Sequence, residues 1–131
     1  MYKNIKKEFD KNGFVRIKNV LDYKLDLEPI LNDMAFIMNR LVHRFVSKKE
    51  KKRVLNLNFK KKYSYLVRLG IPELDQYFNI RLPQNNITVD SDFFASQSIF
   101  TLIKNKKIIE KVSKILGTEI SSNPCQNSRI K

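Results

Sequence analysis

Between Ile30 and Phe45 apolar residues recur at steps of four, three, four and four: Ile30, Met34, Ile37, Leu41 and Phe45. That spacing places all five on one face of an α-helix. Leu31, Ala35, Met38, Val42 and Val46 widen the face, so the first half of the helix is deeply packed. The pattern predicts one long helix from about Glu28 to Lys52, with Pro29 in the first turn, where its missing N–H costs nothing. After Val46 the sequence turns basic and the helix surfaces.

Composition bounds what surrounds this helix. At 131 residues the chain is long enough for one core and too short for two ordinary domains. An apolar share of 42% excludes simple disorder, and three Gly and four Pro exclude collagen-like or linker sequence. A single cysteine, Cys125, excludes a disulfide framework and any cysteine-based zinc site, and nothing beside it supplies the base a nucleophile needs. A single histidine, His43, excludes a catalytic metal site that takes two imidazoles from this chain. His43 lies just off the apolar stripe, and Asn39, Arg40, Val46 and Ser47, one turn away, are not useful ligands, so it reads as a surface or boundary histidine. The N-terminus is charged from Lys3 onward with no apolar signal core. The most apolar uncharged stretch, 93–103, is short and polar against the roughly 20 residues a membrane span needs. A reducing, cytoplasmic setting with no membrane partner is expected.

Elsewhere the pattern changes. Residues 2–12 read as a short amphipathic helix, with Ile5 and Phe9 on one face and Gly13 as a left-handed cap. Residues 14–18 alternate, Val15 and Ile17 against Arg16 and Lys18, as a half-buried strand does. Residues 54–82 read as two helical pieces broken at Gly70-Ile71-Pro72, and 83–92 as a loop in which Asp90 and Asp92 serve as turn and capping residues. Two helices are expected at 96–104 and 106–116, with Asn105 capping the second and Gly117 ending it. Residues 118–131 read as extended, with Pro124 marking an edge or bulge.

Charge supplies a functional expectation of its own. The balance of 26 Lys and Arg against 13 Asp and Glu gives +13. Nine of the basic residues fall between Arg44 and Lys62, opposed by Glu50 alone. Such a stripe suits nucleic acid, as in a basic helical binding module, or an anionic membrane face. No aromatic stacking motif interleaves with it, and the chain uses Lys freely throughout, so the stripe reads first as a solvated helix face and nucleic acid is not the expected partner.

Two segments resemble the N-terminal half of the phytanoyl-CoA dioxygenase family. The first is FDKNGFVRIKNVLD, 9–22: a helix, a Gly turn, and a strand ending in Asn-Val-Leu before a long helix. The second is NKKIIEKVSKILGTEISSNPCQNSRIK, 105–131: a helix ending Leu-Gly, then a strand through Asn-Pro-x-Gln to Arg-x-Lys. Their order and separation carry the resemblance, and residues 54–92 match no family motif.

The resemblance implies an α+β chain, the mainly helical N-terminal part of a double-stranded β-helix (jelly-roll) enzyme, with strands near 14–18 and 119–131. It implies a hydroxylase that uses Fe(II), O2 and 2-oxoglutarate on a small-molecule substrate, its iron held by His-x-Asp and a distant second His. This sequence contains no His-x-Asp, no second His and no later Arg for the cosubstrate carboxylate. Residues 1–131 are therefore expected to be one incomplete domain, without metal or catalytic residues and prone to self-association. In the family the last strand walls the 2-oxoglutarate pocket. Alternation sets Cys125, Asn127, Arg129 and Lys131 on one face, so Asn127 and Arg129 are the expected cosubstrate contacts, with Gln126 carrying the family motif.

Overall fold

The computed structural model describes residues 3–79, 87–89, 94–117 and 119–121. The chain divides into two compact units, one formed by 1–30 with 97–122, the other by 31–96 with 123–131.

In the first unit, α1 (Lys3–Asn12) half-buries Ile5 and Phe9 on one face. Gly13, at φ 75°, returns its N–H to the Phe9 carbonyl at 2.8 Å and stops the helix as expected. A π-helical turn follows at Tyr23–Leu27, capped by Asp22, whose carboxylate accepts the Leu25 N–H at 2.9 Å. The π turn packs against α5 (Gln97–Ile103), and α1 packs against α6 (Lys106–Leu116). Asn105 caps α6 by accepting the Lys107 N–H at 2.9 Å, and Gly117, at φ 109°, ends it.

The second unit is built on α2 (Glu28–Phe45), which begins just before the unit boundary, and on α3 (Lys48–Leu55), α4 (Phe59–Arg68) and a 3-10 turn at Leu74–Phe78. Met38, Leu41, Val42 and Val46 meet Val54, Leu66, Leu74 and Phe78 in a fully covered core. Phe59 and Tyr63 set their rings edge-on to Phe78 at 6.1 and 6.3 Å. Burial of each such side chain contributes roughly 1.5–3 kcal/mol.

The expected single helix over 28–52 is two. At 3.6 residues per turn, an unbroken helix would carry Val54 about 120° around from Val42 and out of the core. The break at Ser47 returns it. Ser47 turns out of helical geometry at ψ 150°, and its carbonyl accepts the N–H groups of Glu50 and Lys51 at 3.1 and 3.0 Å.

The α+β expectation is overturned: among the described residues there is no strand. Residues 14–18 keep the burial alternation of a strand, with Val15 and Ile17 half-buried between exposed Phe14, Arg16 and Lys18. They form no backbone ladder with any described residue. Alternation makes a segment fit for a sheet, but only a paired neighbour makes it a strand. Residues 119–121 are likewise irregular, and the rest of the expected strand, 122–131, lies outside the described residues, as do Asp90 and Asp92. The jelly-roll expectation falls with its strands.

Candidate functional site

Two features of the second unit offer binding chemistry. The first is a cleft of about 380 Å³ along α2. Asp33, Phe36, Arg40 and Arg44 share one helical row on its floor, and Tyr77 and Phe94 supply aromatic walls. The Phe94 N–H donates to the Asn79 carbonyl at 2.6 Å, tying the 94–96 segment to the end of the 3-10 turn, and Phe94 is buried. Tyr77 stands edge-on to Phe45 at 6.3 Å, and the Arg44 guanidinium lies 5.1 Å over the same Phe45 ring.

The second feature is the basic surface of α3 and α4. Glu50, the sole acid of the stripe, is consumed locally. Tyr65 donates its hydroxyl to the Glu50 carboxylate, and Arg53 donates to it at 2.7 Å, which together hold Glu50 below its ordinary range. Tyr65 is pushed up in turn, chiefly by the same bond. Lys51 caps the end of α2 by donating to the His43 carbonyl at 2.9 Å, and Lys62 donates to the Asn39 side chain at 2.8 Å. Lys48, Lys49, Lys52, Lys60 and Lys61 stay exposed, without a hydrogen bond or ion pair to any described residue.

Tyr63 is a second tyrosine of this unit tied to a carboxylate. Burial, then its hydrogen bond to Asp75, pushes its hydroxyl up to about 12. In the first unit Asp26 is held low, first by the Asp22 N–H at 2.7 Å, with Lys107 and Asn105 adding to it at 3.3 and 2.8 Å.

The expected cosubstrate contacts, Gln126, Asn127 and Arg129, lie outside the described residues. His43 is exposed on α2. With one histidine the chain cannot supply the two imidazoles of a facial-triad iron, and among the described residues no three His, Cys, Asp or Glu side chains are placed to hold a metal. No described helix is long and apolar enough to cross a membrane. The cleft was not anticipated. Phe36, Arg40 and Arg44 show their four-residue spacing in the sequence, but Tyr77 and Phe94 reach them only through packing.

No family model, no curated protein and no solved structure matches this chain.

Proposed function

We propose that this chain is the helical N-terminal portion of a hydroxylase resembling the phytanoyl-CoA dioxygenases, dependent on Fe(II) and 2-oxoglutarate and inactive without the residues that hold the iron. One observation carries the reading. The two stretches that bear the resemblance begin almost a hundred residues apart, yet their helices, α1 and α6, pack together in one compact unit, each ended by a left-handed Gly. With one histidine, the chain's own residues do not supply the two imidazoles of the family's iron site.

The test is to read the source DNA in frame past codon 131, then express the longer product. A His-x-Asp with a later His and Arg is expected, together with 2-oxoglutarate-to-succinate turnover that the 131-residue chain lacks. A stop codon directly after Lys131 would sink the proposal.

The five exposed lysines of α3 and α4 favour a second reading, a basic helical nucleic-acid-binding module. Five phosphate contacts would weaken duplex binding about 500-fold between 50 and 200 mM salt. A flat salt response, or no binding at low salt, rejects this reading and leaves the first untouched.

A further inference from the structure

We infer that the α2 cleft is a binding site for an aromatic carboxylate, a reading independent of the hydroxylase proposal because it needs no iron. Arg40 and Arg44 sit one turn apart over one cleft. Arg44 already rests on Phe45, whereas Arg40 is exposed and has no hydrogen bond or ion pair with a described residue. Its planar fork of donors matches a two-oxygen carboxylate.

The rest of the cleft selects the body of the ligand. Phe36 leaves 64% of its surface exposed at the cleft and half-buried Tyr77 lines it too, whereas Phe94, 2% exposed, offers a ligand almost no surface. Two accessible aromatic side chains, Phe36 and Tyr77, on one opening suit a flat ring, which gains edge-on and offset contacts there. Phe36 lies one turn before Arg40, about 6 Å along the helix. The ligand is thereby oriented, with its anion at the arginines and its ring toward Phe36. The volume, about 380 Å³, is at the small end of ligand pockets and holds one or two fused rings.

The experiment titrates the isotope-labelled full chain with naphthalene-2-carboxylate and, separately, with the neutral naphthalene-2-carboxamide, following amide shifts and heats of binding. Shifts confined to residues 33–44, 77 and 94 are expected, with the carboxamide about tenfold weaker. Arg40→Gln should reduce carboxylate affinity to that of the carboxamide, and Phe36→Ala should weaken both. Arg40 and Phe36 are exposed, so both variants keep the fold, which circular dichroism verifies. Equal affinity for the two probes overturns the proposal. So does a Lys60→Gln variant that weakens the carboxylate as much as Arg40→Gln, because the attraction would then be diffuse charge.

Discussion

The two compact units are both built from amphipathic helices, and they bury their apolar faces to different degrees. In the unit formed by 31–96, eight apolar side chains from α2, its following turn, α3, α4 and the 3-10 turn close into one core. In the other, Ile30 is the one buried apolar residue among those described, and α5 and α6 hold none. Ile108, Val112 and Ile115 form a regular stripe on α6 yet stay half-buried, and Leu116 is exposed. An amphipathic stripe shows which face a helix is prepared to bury, and burial itself needs a second layer. What ties the first unit together is partly polar: Asp26 joins the π turn to the start of α6 through Asn105 and Lys107.

That contrast predicts unequal costs for equal deletions. Phe78 is fully covered and touched by two further rings, so Phe78→Ala should cost about 3–5 kcal/mol. Val112→Ala, on the half-buried stripe of α6, should cost about 1 kcal/mol or less. Denaturant melts of the two variants measure the difference, and amide exchange should be slower across 38–46 than across 106–116. Equal costs would break the comparison.

The helix caps sharpen it at smaller scale. Asn58 and Asn105 cap α4 and α6 in the same way, each side-chain oxygen accepting a backbone N–H at 2.9 Å. Asn58→Ala should cost about 1 kcal/mol. Asn105→Ala should cost more, because the same side chain also donates to Asp26. Asn105→Asp keeps the cap but sets a second carboxylate against the first, so it should raise the Asp26 pKa, which carbon NMR of the carboxyl detects. If the two alanine variants cost the same, the polar tie contributes nothing.

Much of the helical layout was legible from residues alone. Gly13 and Gly117 end their helices, Asn105 caps α6, and the break after Leu69 falls where Gly70 and Pro72 place it. These are local effects, decided within a turn. The break at Ser47 was not legible, since no Gly or Pro marks it and its cause is where Val54 must point. Residues 14–18 misled for the opposite reason: Val15 and Ile17 alternate as strand residues do, but a strand is a property of two segments. The cleft failed on the same ground, because Arg40 and Phe94 are more than fifty residues apart in sequence.

The two units should also part company with pH, and by the smallest of these effects. Asp26 is held below the ordinary 3.8, mainly by the Asp22 N–H, so its folded pKa is depressed relative to the unfolded chain. Its contribution is present above 3.8 and is lost as pH falls through the lower folded value. Tyr63 moves the other way. With its folded pKa raised from 10.0 to about 12, its contribution is complete below 10.0 and disappears as pH climbs toward 12. Acid should therefore loosen the ties around Asp26 in one unit and around Glu50 in the other, whereas alkali acts on the unit that holds Tyr63. Amide exchange resolved by residue across both limbs is the measurement. Asp26→Asn should abolish the acid response at 22–27 and 105–107 without altering the alkaline one, and Tyr63→Phe should do the reverse. In an ultraviolet titration Tyr63→Phe should also remove a tyrosine that ionises near 12. A single transition shared by both units at both extremes would mean that they unfold as one body, and the contrast in burial would then have no consequence for stability.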